Sequence, residues 1–282
     1  MKLVTYDAGA GARVGVLDGE DVRDAAFDGD MIAFIEAGGR PGSGYGRTGP
    51  VTGARLLAPL RPRTLRDFLA FEGHLKNAYR SLGRDIPPEW YEVPAYYKGM
   101  PDTVVGPDTE VRWPSYSDEL DHELELAAII GRTVKDVAPG DAADCIFGYT
   151  IWNDFSARDT QRRELPVGMG PGKAKDWDGS NALGPCIVTA DEFDASDATM
   201  RVRVNGEVWG EDTSAHMHHT FADMIAYCSR SQTLRPGEVI GLGTAAGGSG
   251  LELGRRLEEG DVVELEVEGI GVLRNHIGRK GG

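Results

Sequence analysis

The chain has 282 residues, 40% of them hydrophobic, and a formal net charge of -15. This length allows one large domain or a large domain with a smaller one attached, and the hydrophobic fraction fits a soluble globular protein. The acidic balance argues against a nucleic-acid partner and an anionic membrane surface, so a small molecule is the expected ligand.

No stretch reaches the roughly 18 apolar residues that a membrane-spanning helix needs, and the N-terminal MKLVTYDAGA lacks the apolar run of a signal peptide. We therefore expect a cytosolic protein with no membrane partner. The cysteines Cys145, Cys186 and Cys228 are odd in number and lack CxxC spacing, which predicts buried free thiols rather than disulfides or a zinc site.

The first part of the chain predicts a small β-rich domain over residues 1–60. Residues 2–6, 12–19 and 54–60 have the composition of strands, and residues 30–37 predict a short helix that ends at a glycine pair. A Pro/Gly-rich linker, RPGSGYGRTGP, lies between that helix and the last strand. We place the main domain at residues 61–282.

The main domain begins with a segment of helical periodicity and continues mostly as strands. The helical spacing involves Phe68, Phe71, Leu75, Tyr79 and Leu82. The predicted strands are residues 124–130, 148–153, 185–189, 200–208 with an Asn205-Gly206 turn, 238–243, 262–267 and 272–277; the predicted helices are residues 141–147 and 221–229. Many strands with few alternating helices predict a β-rich α+β fold, a roll or sandwich, rather than a doubly wound parallel sheet.

Two acidic clusters carry the chemistry. In DHELELAAIIG, residues 121–131, strand alternation places Asp121, Glu123 and Glu125 on one face. This pattern is compatible with a solvent-facing strand, but a second strand, YTIWND, also ends in an acid, Asp154. Two strands that each deliver carboxylates at one end can build an all-oxygen site for a hard cation such as Mg²⁺.

The polar run after the second strand identifies a family. NDFSARDTQ, together with the upstream ELE and the later GLGT loop, closely resembles the fumarylacetoacetate hydrolase family over nearly the whole chain after residue 60. The resemblance implies that family's mixed β-sandwich roll, a homodimer, and a metal held by Glu123, Glu125 and Asp154. Asp121 has no counterpart in the motif, and we expect it to be solvated.

A second match suggests a branch of the family. DFLAFEGHLKN resembles the fumarylacetoacetase segment in which an aspartate ligates the metal and a histidine seven residues later activates water, which implies these roles for Asp67 and His74. The family orients that histidine with a late glutamate, for which Glu252 is the candidate. Asn77 stands where decarboxylase and isomerase members carry a glutamate. A lone histidine on this apolar helix face is otherwise a packing residue.

The resemblance also implies substrate-binding roles for Arg158, Gln161 and Lys175. The first two are alternatively part of a surface salt-bridge network, and Lys173 remains an alternative to Lys175. Ser180 is a further candidate contact. Tyr97 and Lys98, in an aromatic Pro-containing loop, are candidate pocket residues.

Two other patterns resemble known binding motifs but lack their residue spacing. GLGTAAGGSG has neither the Lys-Ser/Thr of a P-loop nor the spacing of a dinucleotide fingerprint, so nucleotide binding is not expected. His216, His218 and His219 lack companion ligands at zinc spacing, which favours a structural or dimer-edge role.

These residues predict a metal-dependent hydrolase that cleaves a carbon–carbon bond in an acylpyruvate-like or fumarylacetoacetate-like diketo acid. The His74–Glu252 pair would activate water, and Mg²⁺ would stabilise the enolate, with Mn²⁺ or Ca²⁺ as alternatives. A 2-oxo acid hydratase or decarboxylase of the same fold is the second hypothesis. A non-catalytic metal-stabilised binding protein is the third.

Overall fold

The computed structural model describes residues 1–47, 49–81, 83 and 85–281. The strands of these residues are, in chain order, β1 Lys2–Asp7, β2 Ala12–Asp18, β3 Asp21–Asp24, β4 Arg55–Leu56, β5 Leu65–Phe68, β6 Tyr96–Gly99, β7 Val104–Val105, β8 Glu110–Trp113, β9 Leu120–Asp121, β10 Leu124–Ile130, β11 Ile146–Asp154, β12 Ser156–Ala157, β13 Asn181–Thr189, β14 Thr199–Val204, β15 Glu207–Thr213, β16 Val239–Gly241, β17 Val262–Val267 and β18 Gly271–Lys280. The α-helices are α1 Met31–Glu36, α2 Glu72–Ser81, α3 Arg158–Glu164, α4 Phe221–Cys228 and α5 Gly250–Leu253.

Most strands join one of two mixed sheets. The larger sheet has the order β3-β2-β1-β13-β11-β10-β16-β5-β6, with β4 beside β1 and β7 beside β13. The smaller sheet has the order β15-β14-β17-β18-β8, and β9 pairs separately with β12. Parallel pairs occur in both sheets, between β16 and β5 and between β18 and β8. This confirms the prediction of a β-rich α+β fold.

Burial explains how the sheets are arranged. Every residue of β10 is buried, which fits a central strand covered on both faces. In β14 and β17, buried residues alternate with half-buried ones, so one face of the smaller sheet packs into the core. The larger hydrophobic cluster includes side chains from both sheets, such as Ile151 and Leu265. The core therefore lies between them.

The N-terminal strands extend the larger sheet. β1 pairs antiparallel with β2 and also with β13, where Lys2 lies opposite Val188. The sheet thus runs without interruption from the N-terminal strands into the rest of the chain. The division of the chain at residue 60 stays a prediction.

The structure corrects two helix predictions. Residues 141–147 form part of two short 3-10 turns, Pro139–Asp141 and Ala143–Cys145, and then the start of β11. Pairing with β10 and β13 outweighs the local helical preference there. The helical spacing from Phe68 belongs to a helix only from Glu72, because Leu65–Phe68 pairs with both β6 and β16. Leu82 lies outside the described residues.

Two other predictions are confirmed. Asn205 and Gly206 have φ angles of 52° and 79° and connect β14 to β15 as a hairpin turn. The three cysteines are free and buried. Among the described residues, no helix is long and apolar enough to cross a membrane.

The fold gathers acidic side chains where β5, β16, β10 and β11 lie side by side. Gly241 of β16 pairs with Asp67 on one side and Ala127 on the other. A Cβ atom at Gly241 would lie 2.8 Å from Glu125 Oε2 and 2.7 Å from the Trp152 ring. Glycine at this position therefore leaves room for a buried carboxylate inside the sheet.

Candidate metal and catalytic site

Four acidic side chains from neighbouring strands meet in the interior. Asp67 lies in β5, Glu125 in β10 and Asp154 at the end of β11, while Glu123 precedes β10 and is held by a bridge to Ser249. One carboxylate oxygen from each of the four acids lies within 4.8 Å of those from the others, and all four residues are buried. We call this group the acid cluster. The structure brings together all four residues that the sequence predicts as metal ligands.

Unpartnered oxygens show that the cluster fits a cation. Asp67 Oδ1, both carboxylate oxygens of Glu125 and Asp154 Oδ1 are buried without a hydrogen-bond partner among the described residues. Buried carboxylates without donors are costly unless they bind an ion or a proton. Oxygen atoms on opposite sides of Mg²⁺ or Ca²⁺ lie roughly 4 to 5 Å apart, which matches the cluster. An all-oxygen donor set favours a hard divalent cation.

The electrostatics of the cluster are uneven. Burial and the neighbouring acids raise the pKa values of Asp67 and Glu125 well above their ordinary range. Burial also raises the pKa of Asp154, to about 6, although Lys175 lowers it. Burial would raise the pKa of Glu123 too, but Lys175 and Arg158 outweigh it and hold this pKa below its ordinary value. A cation in the cluster would favour the charged form of all four groups.

Lys175 and Tyr97 contact the acid cluster directly. The Lys175 ammonium group donates to Glu123 Oε2 and Asp154 Oδ2, and the Tyr97 hydroxyl donates to Asp154 Oδ2 at 2.5 Å. Lys173 instead lies at the surface and donates to the Asp176 carbonyl, so Lys175 is the lysine of this loop at the acids. Ser180 supports the loop by donating to the Lys175 carbonyl at 3.0 Å.

Tyr97 and Lys98 have different surroundings because they alternate along β6. Tyr97 lies opposite Asp67 in the β5–β6 pair, whereas Lys98 lies opposite Arg66 and is exposed. Only the register of this edge strand distinguishes the two, which is why the sequence left both as candidates.

Arg158 and Gln161 lie at the start of α3. Arg158 is buried, and its Nη1 lies 2.7 Å from Glu123 Oε1 and donates to Gln161 Oε1 at 2.9 Å. Its Nε donates to Asp121 Oδ2 at 2.8 Å. The guanidinium therefore braces one of the candidate metal ligands. Gln161 is half-buried beside it.

The expectation that Asp121 is solvated is wrong. Asp121 is only 3% exposed, because β9 pairs with β12 and places its carboxylate against Arg158 and the amides of α5. Those amides come from a segment about 130 residues further along the chain. No pattern near Asp121 in the sequence indicates this contact, which explains why sequence reasoning missed it.

His74 and Glu252 form a pair next to the acid cluster. His74 Nδ1 lies 2.9 Å from Glu252 Oε2, and His74 is close enough to Glu123 to lower that residue's pKa. Glu252 also accepts from Asn77, Gly247 and Ser249 at 2.9 to 3.0 Å. Burial would raise the pKa of Glu252, but His74 and these donors outweigh it and lower the pKa. The lowered pKa favours the ionised form of Glu252 beside the imidazole.

The histidine segment packs against the aromatic loop. His219 Nε2 lies 2.6 Å from the Trp90 carbonyl, and the His218 ring lies 4.9 Å from that of Trp90. His216 lies 2.6 Å from Asp212 at the surface. Among the described residues, the acid cluster is the one group of three or more His, Cys, Asp or Glu side chains with metal-ligand geometry, and these histidines are not part of it.

The comparisons with known proteins agree with this geometry. The family model "Fumarylacetoacetate (FAA) hydrolase C-terminal" matches residues 63–278. Oxaloacetate tautomerase YisK of Bacillus subtilis is 31% identical over 229 residues, which cover 79% of this chain and 73% of that protein.

Two solved structures share the whole architecture. The 5-carboxymethyl-2-hydroxymuconate delta-isomerase of Mycobacterium smegmatis is 32% identical with a TM-score of 0.80, covering 99% of this chain and 100% of that one. A fumarylacetoacetate hydrolase from the psychrophilic Exiguobacterium antarcticum is 29% identical with a TM-score of 0.83 and the same coverage. The named relatives therefore include tautomerases, isomerases and hydrolases.

Proposed function

This chain belongs to the fumarylacetoacetate hydrolase family, and from that premise we propose that it is a divalent-metal-dependent hydrolase of diketo acids. The bond cleaved is a carbon–carbon bond in an acylpyruvate-like or fumarylacetoacetate-like substrate. The observation that carries the proposal is the 2.9 Å contact between His74 Nδ1 and Glu252 Oε2, beside a cluster of four buried acids. A hydrolase needs a base for water, and this pair supplies one.

The acid cluster accounts for the metal. Asp67, Glu123, Glu125 and Asp154 would hold the ion, and we propose Mg²⁺, with Mn²⁺ or Ca²⁺ also compatible with oxygen ligands. A divalent cation bound there supplies Lewis-acid polarisation of the substrate's chelating oxygens. The 2-oxo acid end of a diketo acid carries two adjacent oxygens that suit such a site.

The chain's own residues supply the remaining steps. With Nδ1 held by Glu252, His74 takes a proton from water through Nε2, and the resulting hydroxide attacks the distal carbonyl carbon. The bond between that carbon and the central methylene then breaks, and its electron pair leaves on the methylene carbon, which takes up a proton. An acylpyruvate and one water thus give a carboxylic acid and pyruvate, which balances atoms and charge.

Three polar residues complete the site. The Lys175 ammonium group lies at the acids and can favour negative charge that develops on substrate oxygens. Gln161 is half-buried and offers its amide nitrogen, because its Oε1 accepts from Arg158. Arg158 acts mainly through Glu123, since its nitrogens lie against Asp121 and Glu123.

A tautomerase or isomerase of 2-oxo acids is the second candidate. The observation in its favour is that curated relatives more than 30% identical are named oxaloacetate tautomerases. A decarboxylase or hydratase would use the same cluster. Tautomerisation, isomerisation and decarboxylation consume no water, so the role of His74 separates them from the first candidate. A hydratase adds water to a carbon–carbon double bond without releasing a second product, so product analysis separates it.

A substrate screen with product analysis tests the proposal. The protein is incubated with fumarylpyruvate, acetylpyruvate, fumarylacetoacetate and oxaloacetate, with and without Mg²⁺. The released acid and its co-product, which is pyruvate from an acylpyruvate and acetoacetate from fumarylacetoacetate, are quantified separately from enol absorbance. We expect Mg²⁺-dependent release of both products from a diketo acid, lost by roughly 10² to 10⁴-fold in His74→Ala. His276→Ala, at an exposed histidine of the smaller sheet, is the matched control.

Three outcomes would overturn the hydrolase assignment. Loss of enol absorbance without product release would assign a tautomerase, and hydrolysis at the parent rate in His74→Ala would remove the proposed base. Metal-dependent stabilisation with no substrate consumed would assign a non-catalytic binding protein. The proposal also includes a homodimer in the cytosol, which sedimentation velocity and cell fractionation test.

A further inference from the structure

Asp121 lies between the acid cluster and the His74–Glu252 pair. Its carboxylate is buried, and its oxygens accept from the amide nitrogens of Gly250 and Leu251 at 2.9 and 3.0 Å. The same carboxylate accepts from Arg158 Nε at 2.8 Å. One side chain therefore contacts α5 on one side and α3 on the other.

The contact with α5 leads to the proposed base. Gly250 and Leu251 are the first two residues of α5, and Glu252 is the third. A Cβ atom at Gly250 would lie 2.7 Å from Asp121 Oδ1, so the close approach requires a glycine. α5 has only four residues and little stability of its own. The carboxylate of Asp121 thus fixes the start of the helix that carries Glu252.

The contact with Arg158 leads to the acid cluster. Arg158 Nη1 lies 2.7 Å from Glu123 Oε1, and Glu123 Oε2 accepts from Lys175, which also donates to Asp154. All these groups are buried, and charged groups in fixed hydrogen bonds have little freedom to move. A continuous chain of contacts therefore links Glu252 to the proposed metal ligands through Asp121.

We propose that Asp121 is a positioning residue, which holds the His74–Glu252 pair at a fixed distance from the acid cluster by anchoring α5 and Arg158 with one carboxylate. The inference rests on the proposed function for its kinetic consequence. Asp121 touches neither water nor substrate in this role. It sets where Glu252, and through it His74, stands relative to the metal ligands.

A purely structural role makes a different prediction. If Asp121 only capped a helix and paired a buried arginine, its loss would lower stability, while the remaining folded protein would keep its turnover number. A positioning role instead lowers kcat at saturating substrate and metal, because a misplaced base costs on the order of 10²-fold. The effect must also pass through Glu252.

The test compares Asp121→Asn with a variant that disturbs the start of α5 and with a control variant at another helix. An asparagine keeps the size of the side chain but replaces one acceptor oxygen with an NH₂ group. The amide nitrogen of Gly250 faces Oδ1, and that of Leu251 faces Oδ2, so one amide of α5 loses its acceptor whichever oxygen is replaced. Gly250→Ala displaces the start of α5 without changing Asp121 and provides a second route if Asp121→Asn does not fold. Asp223→Asn removes a capping acid from α4, whose side chain accepts from Thr220, and controls for general loss of a cap.

We expect Asp121→Asn and Gly250→Ala to lower kcat by roughly 10²-fold with a much smaller change in KM. In the Glu252→Gln background, either change should lower kcat less than about 3-fold further, because its effect passes through Glu252. Asp223→Asn should lower the melting temperature and leave kcat unchanged. A kcat loss by Asp121→Asn that multiplies fully with that of Glu252→Gln would overturn the inference.

Two measurements keep the inference separate from the proposed reaction. Amide hydrogen exchange of residues 250–253 should accelerate in metal-free Asp121→Asn and stay unchanged in Asp223→Asn, whatever the substrate is. Calorimetric titration with Mg²⁺ alone should show affinity reduced by roughly 10-fold, through Arg158 and Glu123. Parental exchange and parental Mg²⁺ affinity in Asp121→Asn would refute the inference even if no diketo acid is cleaved by the parent protein.

Discussion

The two faces of strand β5 carry neighbouring charged residues with opposite arrangements. Arg66 points to one face, where its Nη1 lies 2.5 Å from Glu238 Oε2 and donates to Thr64 at 2.9 Å. Asp67 points to the other face, toward three more acids, which Lys175 and Arg158 contact. The first face pairs one cation with one anion, whereas the second leaves several carboxylate oxygens without donors.

The two faces of β5 differ in whether their buried charges are paired. On the first face, burial opposes the charge of Arg66, but Glu238 outweighs it and raises the pKa of Arg66, so the guanidinium stays charged beside its partner. On the second face, the pKa values of Asp67 and Glu125 rise well above their ordinary range, so the metal-free cluster retains protons. The buried Arg66–Glu238 pair has equal numbers of positive and negative groups and serves stability. The acid cluster has an excess of acids, which indicates a site for an additional positive charge.

The largest effect is expected from a substitution in the acid cluster, on the Asp67 face of β5. Glu125→Gln removes one anionic ligand but keeps the size of the side chain, so we expect Mg²⁺ binding to be lost and activity to fall by at least roughly 10³-fold. The metal-free protein should be no less stable, because the neutral amide replaces a carboxyl group whose raised pKa already favours its neutral form. Calorimetric titration, kinetics and thermal unfolding measure the three quantities. Glu264→Gln, on the smaller sheet, is the control.

A substitution of Arg66, on the other face of β5, should lower stability and leave Mg²⁺ binding unchanged. Arg66→Met leaves Glu238 buried without its partner, which is expected to lower the free energy of unfolding by about 3 to 5 kcal/mol. Mg²⁺ affinity and kcat of the folded protein should stay at parental values. Urea unfolding measures the loss, and the double variant Arg66→Met/Glu238→Gln should recover most of it. A loss of Mg²⁺ binding in Arg66→Met would contradict the separation of the two faces.

A substitution of Lys175 tests how much a cation at the acid cluster contributes to stability, compared with Arg66 on the other face of β5. Lys175→Met leaves Glu123 and Asp154 without their shared donor, so the metal-free protein should lose about 2 kcal/mol at neutral pH. The loss is smaller than for Arg66 because Asp154, with a pKa of about 6, can take up a proton. Bound Mg²⁺ should reduce the difference, as thermal unfolding with and without the ion would reveal. Lys173→Met, at the surface, is the control.

The last expected effect is a pH dependence of metal binding. Asp67, Glu125 and Asp154 have raised pKa values in the metal-free fold, so the fold binds more protons than the unfolded chain between about pH 4 and the folded pKa values. The stability that these groups contribute is present at low pH and is lost as pH rises through about 6 and above. Metal binding must displace the same protons.

The free energy by which Mg²⁺ stabilises the fold should therefore grow between about pH 5 and pH 8, by about 1.4 kcal/mol per pH unit for each proton released. The increase in melting temperature caused by Mg²⁺ should grow with it. Differential scanning calorimetry of matched samples with Mg²⁺ and with EDTA measures it. Glu125→Gln should abolish the dependence. A metal-induced shift that stays constant over this range would mean that the cluster is already ionised in the metal-free protein.

The local patterns in the sequence determined the strands and the nature of the site. Alternation in DHELELAAIIG predicted a strand with acids on one face, and the spacing of Asp67 and His74 matched a family motif. These features are local because side-chain alternation and turn chemistry depend on only a few neighbouring residues. The Asn205-Gly206 hairpin is another such case.

Only the tertiary structure determines which residues each buried acid contacts. Asp121 and Glu125 share an alternation pattern, but Asp121 binds Arg158 and α5, while Glu125 remains without a donor. Tyr97 rather than Lys98 reaches Asp154 because of the register of β6 against β5. Glu252 meets His74 across more than 170 residues of chain. Contacts of this kind depend on sheet order and packing, which no local pattern encodes, because they join segments that only the folded core brings together.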